Sequence, residues 1–332
     1  MSEVSRRNLL TGAAVAAAMG PAMLAQPTPV MAAAPLAGNQ SAGWYRYKVG
    51  TTEITVATDG RSVFKLPDTF VTNVPKDKVN EGLVAAHMEK DMMVIPYSPI
   101  AVNTGSKLVV IDTGTGEKNF ETTKGTAGQF HSNLKASGID RNNVDIVIIS
   151  HFHGDHINGL LDANNAPAFA NAEIMVPAAE WKYFMDDGEM SKQTSDRMKG
   201  VFANARRVFD ALKRKVTPYE DGKEIAPGIT SVASYGHTPG HTSHIISSGS
   251  SKVFVQADVT NNPALFARNP GWHAFFDQDG AVAEATRRKV YDMLVAEKMM
   301  VQGFHYPFPA NAYIEKTASG YREVPVPWNP SI

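Results

Sequence analysis

Val144-Asp145-Ile146-Val147-Ile148-Ile149-Ser150-His151-Phe152-His153-Gly154-Asp155-His156 is the stretch on which the reading of this chain turns. Its first part, 144–149, is a β-branched run of the kind carried by a strand buried on both faces. That strand leads directly into metal-capable side chains: His151, His153, Asp155 and His156. Residues two apart in an extended segment point to the same side, so His151 and His153 can ligate one cation together. Gly154 permits a sharp change of direction, and Asp155 and His156 then fall at the start of a helix. A loop leaving a strand end is where α/β proteins place their sites. Imidazole and carboxylate suit zinc, iron or manganese. A lone histidine is ordinarily a surface or core residue, but three with an aspartate in one loop after a buried strand make a metal site.

Composition narrows the chemistry further. The chain has 332 residues, 43% of them hydrophobic, enough for one large domain or two modest ones. Its 32 lysines and arginines balance 33 acids, so no charge surplus points to nucleic acid as a ligand. The absence of cysteine excludes thiolate metal sites, cysteine nucleophiles and disulfides. Any metal must then be held by His, Asp, Glu or backbone oxygen.

The N-terminus has the parts of an export signal: Ser5-Arg6-Arg7-Asn8-Leu9-Leu10, an alanine-rich apolar stretch to about Ala25, and small residues around Val30–Ala34. The paired arginines indicate the twin-arginine route, with its export machinery as a partner. Thr11, Gly12, Gly20 and Pro21 make the stretch a poor spanning helix. The expectation is a signal and linker over 1–36, cut between Ala32 and Ala37, then a single catalytic domain over 37–332. The mature protein would be periplasmic, with no stable membrane anchor.

Along that domain, 44–49 and 53–58 read as a hairpin, 76–88 as a helix, and 100–104 with 108–111 as a second hairpin. A short helix is expected over 129–137. A long amphipathic one spans 194–214, with Met198, Val201, Phe202, Ala205, Val208, Phe209 and Leu212 inward. Strands are expected at 229–234, 243–247 and 252–256, then a helix over 279–297 with Val282, Thr286, Val290, Met293 and Leu294 inward. An edge strand closes the chain at 321–326. Strands and helices alternate without a compositional break, which describes one α/β domain.

His151-Phe152-His153-Gly154-Asp155-His156 resembles the signature of the metallo-β-lactamase superfamily, an αββα sandwich of two mixed β-sheets flanked by helices. Further motifs follow in the superfamily's order: Val109–Gly114, Gly236-His237-Thr238-Pro239-Gly240-His241-Thr242, Val255–Asp258 and Gly303-Phe304-His305. The resemblance implies two divalent cations, zinc by default with manganese, iron or cobalt open. It assigns His151, His153 and His237 to one cation, and Asp155, His156 and His305 to the other. Asp258 would bridge them with a water or hydroxide. Asp155 and Asp258 are then the catalytic carboxylates. Asp112 would orient the metal loop, and His241 would serve behind the ligands rather than among them. His87, His131, His244 and His273 have no motif support.

The reaction so implied is attack of a metal-bridging hydroxide on an activated ester, lactone, amide or phosphotriester. The superfamily's di-iron oxygen reductases carry a carboxylate where His153 stands, which argues against redox chemistry; its mononuclear iron dioxygenases keep the histidine. A β-lactamase-type amide hydrolase and an iron-dependent dioxygenase on the same fold are the alternatives, although exported β-lactamases usually have serine at the His241 position. Homoserine-lactone lactonases carry a tyrosine three residues past the bridging aspartate, where this chain has Asn261. The segments Phe276–Asp279, Ala285–Arg288 and Gly303–Pro309 are most similar to the methyl-parathion-hydrolase-like branch. The partner is a small molecule, with Phe120, Trp181, Phe184, Trp272 and Phe308 as candidate apolar pocket walls. A homodimer is compatible with the sequence.

Overall fold

The computed structural model describes Leu36, Gly38, residues 40–213 and residues 216–332. Met1–Ser41 forms one unit and Ala42–Ile332 another. The fold described below is that of the second unit. The expected export signal, Leu36 apart, lies outside the described residues.

One sheet is built from β1 (Trp44–Val49), β2 (Thr52–Ala57), β5 (Ile100–Asn103), β6 (Leu108–Ile111), β7 (Ile146–Ile148), β8 (Glu173–Pro177) and β9 (Thr217–Tyr219), in that order. The other runs β10 (Glu224–Ala226), β11 (Ile229–Ala233), β12 (Thr242–Ser248), β13 (Ser251–Ala257), β14 (Met300–Gly303), β15 (Asn311–Lys316) and β16 (Tyr321–Pro325). A separate hairpin pairs β3 (Gly60–Lys65) with β4 (Met92–Tyr97).

The β-branched stretch explains the layering. Ile146 and Ile148 enter the core between the sheets, with Val109, Ile111, Ile246 and Val253. Val147 and, just past β7, Ile149 point the other way and pack with Phe130, Leu134, Phe202 and Val208. A strand alternates faces at every residue, so a run apolar at every position needs a layer on both sides. The helices α3 (Phe130–Ala136), α5 (Ala178–Met185) and α7 (Asp196–Ala211) supply the outer layer over this sheet. Across the sandwich, α8 (Gly280–Glu297) covers the second sheet through Val290, Tyr291 and Leu294 against Phe254, Val301 and Ile314. The result is αββα. The short helices α1 (Lys76–Ala85), α2 (Lys118–Thr122), α4 (Gly154–Ile157) and α6 (Asp187–Ser191) complete the set among the described residues.

The helix α7 follows its expected face: Ser195 caps it by accepting from Met198 N at 3.3 Å, and Phe202, Ala205, Val208 and Phe209 are buried. The helix α8 departs from the expected face. Its buried residues are Ala283, Arg287, Val290, Tyr291 and Leu294, whereas Val282 is exposed. An apolar count cannot place an arginine inward. Here Arg287 is buried because it donates to Val259 O at 3.1 Å, Pro270 O at 2.7 Å and Trp272 O at 3.0 Å, and to Asp277 at 3.3 Å.

Parallel pairing sets the position of the site. In the β6–β7 pair, Ile111 lies opposite Ile148, so Asp112 and the His151 loop leave the sheet at the same end. In the β13–β14 pair, Ala257 lies opposite Gly303, so Asp258 and His305 also leave together. Phe202 is fully buried beside Phe184, with ring centroids 4.8 Å apart. Phe202→Ala is expected to cost about 3–5 kcal/mol, seen in urea melts as a lower midpoint with an unchanged slope.

Candidate metal centre

His151, His153 and His237 offer nitrogens within 4.8 Å of one another, as do the donor atoms of Asp155, His156 and His305, and those of His151, His156 and Asp258. His153 Nδ1 lies 3.1 Å from His151 Nε2 and 2.8 Å from His237 Nε2. The carboxylate of Asp258 reaches both groups. Its Oδ1 is 3.2 Å from His156 Nε2, while Oδ2 is 3.0 Å from His305 Nε2 and 3.3 Å from His237 Nε2. Asp155 Oδ2 is 3.5 Å from His305 Nε2 and 3.7 Å from His156 Nε2.

The outer partners of the imidazoles decide what these distances mean. His156 Nδ1 donates to Asp112 Oδ2 at 2.8 Å, His237 Nδ1 to Asp277 Oδ1 at 2.8 Å, and His305 Nδ1 to Pro96 O at 2.8 Å. Ser150 Oγ gives its proton to Asp112 and lies 3.0 Å from His151 Nδ1, whose N–H it accepts. Each tautomer is thereby fixed, and each Nε2 turns a lone pair inward. Lone pairs facing lone pairs and carboxylate oxygens repel one another. His156 Nε2 and Asp258 Oδ1 are buried without any hydrogen-bond partner. Cations satisfy all of them at once, and the ligand atoms of a tetrahedral zinc lie about 3.3 Å apart. The donor set fits two divalent cations sharing Asp258.

Electrostatics agree with that fit. Burial, reinforced by neighbouring histidines, pushes His151 and His153 well below the usual imidazole range, toward the neutral ligand form. Burial opposes charge on His156 too, yet Asp258, Asp112 and Asp155 outweigh it and raise its pKa well above the usual value. The surrounding carboxylates thus draw positive charge to the centre.

His241 stands behind the ligands. Burial lowers its pKa to about 3, so it stays neutral, donating from Nδ1 to Ser234 O at 2.9 Å and accepting Asp258 N at 3.0 Å. Of the unsupported histidines, His131 pairs with Glu117, His244 lies beside Tyr219, and His273 pairs with Glu284.

Three fixing groups had no role assigned to them from the sequence. Asp277, held by Arg287, orients His237. The Pro96 carbonyl brings the β3–β4 hairpin to His305. Glu180, fully buried on α5, accepts Phe152 N at 2.9 Å, Thr238 Oγ1 at 2.8 Å and Gly240 N at 2.8 Å, which ties the His151–His153 loop to the His237 loop. A Cβ at Gly240 would run into the Glu180 backbone, so the approach requires glycine there. Asp277 lies in a quoted motif, whereas nothing in the sequence around Glu180 marks it.

The walls are not those the aromatic residues suggested. A cavity of about 780 Å³ opens over the centre, with Ile95, Tyr97, Leu161, Val201 and Phe276 as apolar lining and Lys118, Arg197 and Arg207 as cationic lining. Phe120 and Phe308 are exposed outside it, at 47% and 43%. Trp181 packs on Phe152 and Phe209, Phe184 is interior, and Trp272 belongs to the core beneath the hairpin. An aromatic ring is drawn to a core as readily as to a ligand, so residue type alone could not separate the two.

Residues 96–296 match the metallo-beta-lactamase superfamily, and the chain belongs to it. An N-acyl homoserine lactonase from Bacillus sp is 28% identical over 169 residues, 51% of this chain; the match spans 58% of that curated relative's length. Among solved structures, the dizinc quorum-quenching lactonase AidC, in complex with the product N-hexanoyl-L-homoserine, superposes with a TM-score of 0.79 at 24% identity. It is matched over 86% of this chain and 98% of AidC. The hydrolase AbOPH, of the beta lactamase superfamily, gives 0.80 at 23% identity over 88% and 100% of the two chains. At these identities the structural likeness is one of fold.

Burial raises the Glu180 carboxyl from 4.5 to about 7, against the pull of its three donors. The folded chain thus keeps a proton that the unfolded chain sheds. The associated stability is full below pH 4.5 and is lost as pH rises through about 7. Across that window the metal-free protein should lose on the order of 3 kcal/mol relative to Glu180→Gln. Urea melts of both proteins at several pH values read the difference; a flat difference would show that Glu180 does not titrate there.

Proposed function

We propose that this protein is a dinuclear metal-dependent hydrolase that opens a lactone or a comparably activated ester. The observation that carries the reading is the set of inward lone pairs, locked from outside, that divides into two groups sharing Asp258. The lactone class is supported by the Bacillus lactonase relative and by the likeness to a dizinc lactonase. Zinc is the default metal for this ligand set.

His151, His153, His237, Asp155, His156, His305 and Asp258 would hold two such cations, which would supply a water of lowered pKa and polarise the oxygen under attack. The chain's own groups do the rest. His241 and the Arg287–Asp277 pair hold Asp258 and His237 in place. Asp155, whose side chain is 25% exposed and so reaches the cavity, takes the proton released as water attacks and returns it to the departing alkoxide. Ile95, Tyr97, Leu161, Val201 and Phe276 give an acyl chain an apolar surface.

A phosphotriester is the second substrate class. It is favoured by the likeness of Phe276–Asp279, Ala285–Arg288 and Gly303–Pro309 to the methyl-parathion-hydrolase-like branch. The motif Ser5-Arg6-Arg7 supports export by the twin-arginine route and a periplasmic enzyme.

Metal-loaded enzyme should hydrolyse an N-acyl homoserine lactone with about two metal ions per chain. Chelation and His151→Ala should each lower kcat/KM by at least about a thousandfold. Activity surviving both treatments would overturn the mechanism. In a separate test, replacing Arg6 and Arg7 by lysine should leave the protein in the cytoplasmic fraction; unchanged periplasmic recovery would remove the export reading.

A further inference from the structure

Two arginines of α7, Arg197 and Arg207, line the cavity over the metal centre, and both are held by neutral groups. Arg207 Nη2 donates to Asn204 Oδ1 at 2.9 Å and to Asn158 Oδ1 at 3.2 Å. Arg197 Nη2 donates to Phe276 O at 3.3 Å, and its Nη1 lies 3.5 Å from Met198 Sδ. The Arg197 guanidinium carbon also stands 5.4 Å from the centre of the Phe275 ring. By contrast Arg206, on the same helix, pairs with Asp187, and Arg287 with Asp277. Carbonyl, carboxamide and ring contacts fix a guanidinium in place without cancelling its charge.

The cavity also has four carboxylates in its lining, and each is committed elsewhere. Asp155 and Asp258 belong to the metal ligands. Glu117 pairs with His131 at 2.9 Å and Arg141 at 3.1 Å, and accepts Ala163 N at 2.9 Å. Asp162 accepts Asn164 N at 2.8 Å and Ala166 N at 2.9 Å. Among the described residues, none of the four forms an ion pair with Arg197, Arg207 or the third cation of the lining, Lys118. Two divalent cations would balance these carboxylates and leave the three basic side chains in excess. Arg197 acts on the centre itself: His153, kept neutral chiefly by burial and by His237, also feels its charge. As a residue Arg197 is exposed, yet enough protein surrounds its guanidinium to lower the pKa, against the pull of Asp277. A partly desolvated positive charge near metal cations is repelled by them, and an anion received between them removes the repulsion.

We propose that Arg197 is a specificity-determining residue whose guanidinium receives an anionic group, a carboxylate or a phosphate, carried by the ester or lactone away from the bond to be cleaved. Lys118 and Arg207 draw such a substrate toward the mouth of the cavity. Val201, one turn along α7 from Arg197, lines the same cavity, so an apolar spacer between the charged end and the scissile bond has a surface to lie on. The inference rests on the hydrolase reading above and narrows it.

The test uses zinc-loaded wild type, Arg197→Met and Arg197→Lys with para-nitrophenyl esters of one chain length: the hexanoate, the adipate monoester, and a hexanoate ending in a phosphate. Wild type should prefer an anionic ester to the plain hexanoate, and the one it prefers tells the carboxylate from the phosphate. In Arg197→Met the ratio of kcat/KM, anionic over neutral, should fall on the order of tenfold to a hundredfold, as for loss of a hydrogen bond to a charged group. Arg197→Lys keeps the charge without the planar fork and should retain part of the preference. Added salt should lower kcat/KM for the anionic ester more than for the hexanoate. Arg268→Met removes an arginine that lies outside the cavity and donates to Ala85 O, and should leave the ratio at its wild-type value. An unchanged ratio in Arg197→Met, whether or not activity and Tm fall together, would make Arg197 a structural strap between α7 and the Phe276 segment and overturn the proposal. A wild type without preference for charge would overturn it as well. Should the wild type cleave none of the esters, the hydrolase reading falls, and calorimetric titration with adipate and hexanoate still decides the matter. Tighter binding of adipate that Arg197→Met abolishes supports the proposal, and equal affinities overturn it.

Discussion

Lone pairs that cannot be satisfied by one another set the terms for this fold. His151, His156, His237 and His305 each have their outer nitrogen engaged by a group that takes its proton, and each directs its other nitrogen to the space around Asp258. The arrangement is repulsive without positive charge, and becomes cohesive when divalent cations enter. Every outer partner sits on a different part of the chain. Asp112 follows β6, Pro96 belongs to β4, and Asp277 precedes α8. The charge requirement of the centre is thus distributed over the first sheet, the hairpin and the second sheet with its helix.

Topology makes that distribution affordable in strain. Two parallel pairs end side by side, so the ligands following β7, β13 and β14 reach a common edge without long excursions. The local departures are confined to the turns. Asp112 has φ 59° and Ala257 has φ 48°, both left-handed values that side chains other than glycine adopt at a cost of about 1–3 kcal/mol. Each immediately precedes or forms part of the metal network. Three dense apolar layers around them hold these turns where an isolated loop would relax.

The parts legible in the sequence were those governed by period or by a compact motif. The strand at 144–149, the helix over 194–214 and the antiparallel strands around 243–256 follow from face alternation and apolar spacing, and the metal ligands from one dense loop plus ordered companions. The hairpin of β3 and β4 was not marked, because its strands are separated by α1 and no tight turn announces the pairing. The α8 face was misplaced because Arg287 is buried on account of hydrogen bonds, to which an apolar count is blind. Glu180 escaped for the same reason: its three donors come from positions far away in the chain. Pocket aromatics were the weakest guide, since Trp181 and Phe184 serve the core.

Satisfaction of buried polar groups accounts for the braces at this edge. Arg287 is a full charge in the interior, and its contacts with three carbonyls and Asp277 account for its being there. Glu180 is likewise fully engaged, and both act as braces. Asn261 lies two residues from one of Arg287's anchors, and the buried oxygen of its amide has no hydrogen-bond partner among the described residues. A buried polar group of either kind carries a desolvation penalty. For Arg287 the partner is the fold itself.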